Sequence, residues 1–195
     1  MRNLAALIGV ITLSAGLAAC SSSSSSSTAT SSSSSSTATA SAAPKSGTEI
    51  AYGKVTGSAA MVNSPVFHLT FTGPVSTTGT IPLGGQPKKG ASHTFTTAAG
   101  NLVVTLDSEG TSSGGIKSTK TCLAVFTTTV PFTVDGAQST GKFAGATGSG
   151  KAVVLFSGQL PKLSNGECNE SQNAQPSAKT AVSTFTATAK LTLKQ

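Results

Sequence analysis

The chain has 195 residues, among them 21 glycines, eight phenylalanines, one tyrosine and no tryptophan. Its net charge is +7, but Arg2 is the only arginine and the lysines are dispersed, so the arginine clusters and stacking aromatics of nucleic-acid-binding proteins are missing. No sustained apolar pattern of helical period follows residue 20, while threonine, valine and phenylalanine are frequent. The composition therefore predicts an all-β protein that does not bind nucleic acid.

The first twenty residues have the pattern of an export signal that ends in a lipid-attachment site. After Arg2, residues 4–16 form an apolar segment that is too short to span a bilayer as a helix. Residues 17–20, LAAC, resemble the lipobox of bacterial lipoproteins. The resemblance implies a signal peptide over residues 1–19, diacylglycerol and a further acyl chain on Cys20, and stable anchoring at the extracytoplasmic face of the cell membrane. The alternative is an ordinary secretory signal with an incidental cysteine.

Residues 20–47 are predicted to be a disordered tether. After Cys20 the segment consists almost entirely of serine, threonine and alanine, and Pro44 and Lys45 lie near its end. Because it contains almost nothing to bury, it cannot offset its own ordering entropy. Such a tether would hold the folded domain away from the membrane.

Residues 48–195 are predicted to form one all-β domain. The clearest strand is the last, because Phe185, Ala187, Ala189, Leu191 and Leu193 alternate with threonines and Lys190. Further strands are predicted at residues 50–57, 66–71, 93–97, 101–107, 121–129, 132–134 and 151–156, with Pro131 at a bend or an edge, a polar turn region at 108–118 and a long loop at 160–177. About eight strands without a crossover helix indicate an antiparallel barrel, with a sandwich as the alternative.

Two cysteines remain once Cys20 carries lipid. In an exported chain an even pair, Cys122 and Cys168, predicts one disulfide. A metal site is the rival interpretation, but the two cysteines and the two histidines lack any short ligand spacing. We therefore expect a disulfide and no metal site.

A glycine-rich segment, residues 145–151 with the sequence GATGSGK, nearly matches the phosphate-binding P-loop. Ala152 replaces the serine or threonine that would bind magnesium, and the apolar residues after it indicate a strand where a P-loop requires a helix. We interpret the segment as a connection between two strands. Residues 141–150 also resemble a glycine hairpin of allene-oxide-cyclase-like and related calycin-like β-barrels, and the chain is similar in general to small secreted lipoproteins of actinobacteria. The first resemblance implies a barrel whose interior could hold an apolar ligand, and it transfers no catalytic residue.

Residues suited to catalysis are few. All six acids are predicted at element ends or in polar loops, and Asp107 and Glu109, which flank Ser108, are more typical of a solvated turn than of a glycosidase or Ca²⁺ site. His68 and His93 lack the nucleophile motif that would accompany a histidine base. We expect no enzyme activity and no cofactor.

The sequence thus predicts a membrane-anchored envelope lipoprotein whose β domain is a non-catalytic binding or structural module. Its partner would be a wall polymer, another protein or a host surface. The alternative is a calycin-like carrier that holds a lipid or another apolar ligand inside the barrel. An enzyme is the third hypothesis.

Overall fold

The structure is a computed structural model that describes residues 45–62, 64–171 and 174–194. Cys20 and the rest of the predicted signal and tether up to residue 44 lie outside the described residues. The described part contains nine strands, two short 3₁₀ turns at Gly57–Ala60 and Gly141–Phe143, and no α-helix. The strands are β1 (Ser46–Thr56), β2 (Val66–Thr72), β3 (Thr77–Pro82), β4 (Ser92–Thr97), β5 (Gly100–Leu106), β6 (Thr111–Ser118), β7 (Leu123–Val134), β8 (Thr147–Gln159) and β9 (Val182–Thr192).

Eight of these strands close into an antiparallel barrel, which confirms the predicted fold class and excludes the sandwich. Around the barrel the order is β1, β2, β3, β4, β5, β7, β8 and β9, and β9 pairs with β1 along the whole length of β1. Closure depends on three residue pairs that join Val104, Thr105 and Leu106 of β5 to β7. The ninth strand, β6, pairs with β7 outside the closed ring.

One edge of β7 therefore has two successive partners. Its first half pairs with β6 as far as Thr129, and its last three residues pair with β5 from Phe132 onward. Pro131 lies at the change of partner, where its missing N–H removes no ladder hydrogen bond, and its carbonyl accepts a hydrogen bond from the Asp107 N–H at 3.0 Å. The predicted separation of two strands at Pro131 was wrong, because β7 continues through the proline as a single strand that pairs with β8 on both sides of it.

The core is built by inward side chains at every second position of each strand. On β9 the inward residues Phe185, Ala187, Ala189 and Leu191 are all buried, which confirms the predicted alternation. Phenylalanine rings interlock in the middle of the barrel. Phe95 contacts Phe71 edge to face with centroids 5.9 Å apart, and it contacts Phe185 at the same centroid distance.

The segment after β7 plugs one end of the barrel, which we call the closed end. Residues 135–143 run along the free edge of β5, where the Ser139 hydroxyl accepts a hydrogen bond from the Val103 N–H at 2.9 Å. Gly100 and Gly141 both have positive φ, and a Cβ atom on either would overlap a carbonyl oxygen of the facing segment. This close approach places Phe143 inside the end of the barrel, where it is fully buried.

Two strands differ from the prediction. Residues 108–118 were predicted to be a polar turn region, but Thr111–Ser118 forms β6, and β3 at Thr77–Pro82 was not predicted at all. Both segments are rich in threonine, serine and glycine and carry one isoleucine each, so they lack the apolar alternation that predicts a strand. Pairing with the neighbouring strands β7 and β2 supplies the ladder hydrogen bonds of these strands, and it needs no apolar alternation within the segments themselves.

Neighbouring residues on β2 give a test of the inward face. Phe67 is fully buried and packs on Phe185 with ring centroids 5.8 Å apart, whereas His68 is exposed. We expect Phe67→Ala to lower the free energy of unfolding by about 3–5 kcal/mol, because it leaves a cavity in the core. His68→Ala should change it by less than about 0.5 kcal/mol. Denaturant unfolding with the disulfide intact measures both values, and equal losses would contradict the assignment of faces.

Candidate functional site

The end of the barrel opposite the plug holds an apolar cavity of about 270 Å³ that opens to solvent. Phe95, Phe132 and Phe185 line it among other apolar side chains, and Gln86, His93 and Thr128 are the polar side chains of its lining. An apolar cavity of roughly 150 Å³ accepts benzene, and ligand pockets usually begin near 300 Å³. The cavity therefore fits a single ring with a short substituent. The remaining lining residues are Pro65, Ile81, Leu83, Gly84, Gly85, Pro87, Val104, Leu106, Val130, Ala152 and Val154.

The cavity exists because the barrel wall separates at this end. β3 and β4 pair through only two residues each, and Thr80 with Thr96 is the pair nearest the opening. Beyond that pair the strands carry Ile81 and Phe95 along the two sides of a gap. Three residue pairs similarly limit the contact between β5 and β7. The interior at this end is thus wider than its side chains fill.

A loop of residues 83–91 lies over the gap between β3 and β4. Leu83 donates its N–H to the Pro65 carbonyl at 3.0 Å, and Gly90 donates its N–H to the Leu106 carbonyl at 2.8 Å. Between these two attachments the loop contributes Gly84, Gly85, Gln86 and Pro87 to the cavity wall. The part of the wall made by this loop has no ladder hydrogen bonds to a neighbouring strand among the described residues.

Two more phenylalanines extend the apolar surface beyond the cavity. Phe126 and Phe156 are directly paired across β7 and β8, and they lie on the inward face two residues along from Thr128 and Val154. The Phe126 side chain remains 47% exposed. The apolar surface therefore continues from the cavity lining along β7 and β8 to an aromatic pair.

The closed end contains a buried acid that the sequence analysis placed at an element end. Glu49 points inward from β1 and is only 3% exposed. Its Oε2 atom accepts a hydrogen bond from the Val75 N–H at 2.8 Å, while Oε1 has no hydrogen-bond partner in the described part of the chain. Burial raises the pKa of this carboxyl above its ordinary value of 4.5, and the Val75 N–H and the positive charge of Lys45 offset part of that effect. The prediction for Glu49 was wrong because β1 begins at Ser46, before the alternating pattern becomes visible.

The other predicted site residues do not come together. His68 is exposed on the outer face of β2, whereas His93 is half-buried and lines the cavity. Asp107 and Glu109 are exposed in the turn between β5 and β6, where the Thr133 hydroxyl donates to an Asp107 carboxylate oxygen at 3.0 Å. These positions agree with a solvated turn.

The disulfide is confirmed, because Cys122 and Cys168 are bonded with their Cα atoms 5.4 Å apart. It attaches the long loop between β8 and β9 to the start of β7. Closing a loop of this length, with a sequence separation of 46 residues, stabilises the fold by about 4 kcal/mol in the chain-entropy model.

The P-loop-like segment has no phosphate-binding geometry. β8 begins at Thr147 and continues through Lys151, so the helix that a P-loop needs is replaced by a strand. Residues 145–147 border a shallow open groove with Asp135, whose carboxylate is occupied by the N–H groups of Ala137 and Gln138. Among residues 45–62, 64–171 and 174–194, no three His, Cys, Asp or Glu side chains are grouped to hold a metal ion. The same residues include no helix of the length and apolarity needed to cross a membrane.

Comparison of the chain with protein-family models, with curated proteins and with solved structures found no match. The function is therefore inferred from the cavity and the groups around it.

Removing the charge of Glu49 tests the electrostatics of the closed end. Because the folded state raises the pKa of Glu49, it binds more protons than the unfolded state between pH 4.5 and the raised value. Stability should therefore fall as the pH rises through that interval. We expect Glu49→Gln to be increasingly stabilised relative to the parent protein as the pH rises from below 4.5 to 7.

Denaturant unfolding at several pH values measures this difference. Glu170→Gln, at an exposed position in the long loop, is the control and should stay within about 0.5 kcal/mol of the parent protein. A constant difference between Glu49→Gln and the parent across the pH range would contradict the assignment.

Proposed function

We propose that the barrel is a non-catalytic binding module that holds a small apolar ligand in its open end, at the extracytoplasmic face of the cell membrane. The observation that carries the proposal is the cavity of about 270 Å³ with a largely apolar lining. Stability requires only a packed core, such as the closed end has. The unfilled space at the other end is not explained by stability, and we propose that a ligand fills it. The resemblance of residues 141–150 to calycin-like barrels supports the same function.

The energetics favour a ligand that is longer than the cavity. Burying one aromatic ring removes about 150 Å² of apolar surface or more from water. At about 25 cal/mol per Å² this contributes roughly 4 kcal/mol, which corresponds to a Kd near 1 mM. A tighter complex requires further contact, and the exposed Phe126 with its neighbour Phe156, two residues along the strands from Thr128 and Val154 of the lining, is the surface we propose for it. The ligand proposed is thus a ring or chain end inside the cavity with an apolar extension over this pair.

The chemistry of the lining supports binding rather than catalysis. His93 is the one titratable side chain among the lining residues, and no carboxylate or cysteine accompanies it there. General acid–base catalysis usually needs a second group that orients or complements the histidine. His93, Gln86 and Thr128 are better suited to orient one polar group of a ligand.

A second candidate is a surface module that binds an envelope polymer or protein. Tyr52 and Ile50 project from the outer face of β1 and are exposed by 49% and 39%, and Tyr52 lies between Thr70 and Thr186 on the adjacent strands. An aromatic ring between hydroxyl groups is a surface on which a sugar ring stacks. One tyrosine gives a smaller contact than the cavity does, so apolar-ligand binding remains the main proposal.

Filling the cavity tests this function. Ala152 lines the cavity on β8, and the next residue, Val153, lies on the opposite face of the same strand. We expect Ala152→Phe to weaken binding of n-propylbenzene at least tenfold, because the new ring occupies the ligand volume. Val153→Phe, the matched control, should retain the parent affinity within about twofold.

Titrations followed through the methyl NMR signals of Val104, Val130 and Val154 measure both affinities. Unchanged methyl signals in the parent protein at saturating n-propylbenzene would contradict the proposed function.

The membrane anchor has a separate test. We propose that Cys20 carries the acyl chains, and two or more chains hold a protein on a membrane stably. Cys20→Ala should move the protein from the membrane fraction to the soluble envelope fraction or the medium when a bacterial host expresses the full chain. Fractionation followed by mass spectrometry of the N-terminal peptide measures this, and an unchanged distribution would show that the anchor is elsewhere.

A further inference from the structure

The packing of the closed end does not explain why an acid, rather than an apolar residue, occupies position 49. The carboxyl group of Glu49 is buried in an apolar core, and only one of its two oxygens has a hydrogen-bond partner among the described residues. A buried acceptor without a partner costs about 1–3 kcal/mol, and more when it is charged. A glutamine or an apolar residue would avoid much of that cost, so a structural role alone does not account for the acid.

Glu49 lines a second, smaller space of about 10 Å³ inside the barrel. This volume corresponds to a single group of about the size of a water molecule. Apart from Glu49 its walls are apolar side chains, among them Phe71, Leu102 and Ala189. Glu49 is therefore the one polar side chain that a small group in this space could reach.

Two aromatic side chains, Phe95 and Phe132, line both this inner space and the open cavity, and we call them the partition between the two. Phe95 lies on the part of β4 that pairs with Leu102 of β5 but is beyond the last pair with β3, at Thr96. The strand segment that carries this ring thus has a ladder partner on one edge only. Turning the ring aside would give up its contacts with Phe71 and Phe185 but no hydrogen bond between β3 and β4.

We propose that the open cavity and the inner space become one ligand site when Phe95 turns aside, and that Oε1 of Glu49 accepts a hydrogen bond from a hydroxyl group at the innermost end of a ring-containing apolar ligand. The proposal rests on the ligand-binding function proposed above. It adds the orientation of the ligand and its class, an apolar alcohol or phenol whose hydroxyl enters first.

A hydroxyl fits this site better than an ammonium group. Burial raises the pKa of Glu49, and a carboxyl in either protonation state can pair with a neutral hydroxyl. An ammonium ion would have to lose all of its water in a space that offers one carboxyl oxygen, and the Coulombic gain rarely repays such desolvation. The volume also admits one heavy atom, which a hydroxyl oxygen satisfies.

A matched pair of probes tests the inference. 3-Phenylpropan-1-ol and n-propylbenzene share a ring and a three-carbon chain, and they differ by the terminal hydroxyl. Their affinities are measured by methyl NMR titration for the parent protein and for Glu49→Met, which keeps the length of the side chain and removes the acceptor. We expect Glu49→Met to bind the alcohol about tenfold more weakly than the parent protein does and to bind the hydrocarbon within about twofold.

A second variant covers the case in which Glu49→Met does not fold. Phe95→Leu thins the partition and keeps Glu49, so it should increase the affinity for the alcohol at least threefold more than the affinity for the hydrocarbon. If the parent protein binds the hydrocarbon but neither variant changes the preference for the alcohol, the role of Glu49 is wrong and the ligand-binding function stands. If the parent protein binds neither probe, the ligand-binding function itself fails.

Discussion

The pairing of β7 with two successive strands is the constraint on which the rest of the structure depends. Each residue on a strand edge can pair with one neighbouring strand only, so the part of β7 that pairs with β6 cannot also pair with β5. Only the pairs of β5 with Phe132, Thr133 and Val134 therefore close the ring. Pro131 makes this change of partner possible without an unpaired N–H. Val104, Leu106 and Phe132 of these closing pairs line the open cavity, where the wall has few ladder pairs, whereas Phe143 fills the plugged end.

The two ends of the barrel therefore have different physical characters. Near the plug, Phe71 and Phe143 interlock, and segment 135–143 completes the hydrogen bonding of β5. At the open end β3 and β4 separate, and a loop rather than a strand completes the wall. This division explains how one small domain can be held firmly by its core and its disulfide and still keep space for a ligand. Glu49, in the packed half, lies within one ring of that space.

The sequence predicted the features that depend on the pattern of residues close together along the chain. Period-two alternation located β2 and β9, and the even cysteine pair in an exported chain predicted the disulfide between Cys122 and Cys168. It did not predict β3 or β6, whose polar residues lack apolar alternation and form strands by pairing with the neighbouring strands β2 and β7. Nor did it predict that Glu49 is buried, because a lone acid before a short alternating run resembles a strand end. The cavity depends on where the strands separate, and no residue type signals that.

The most direct test of the central claim, that the barrel is filled at one end and open to a ligand at the other, is a crystal structure under xenon pressure. Xenon enters apolar cavities of this size without needing a specific hydrogen bond. The structure predicts a xenon site enclosed by Phe95, Phe132 and Phe185, with none among the rings around Phe143. Side chains that fill the open end, with no xenon between Ile81 and Val154, would contradict both the cavity and the function built on it.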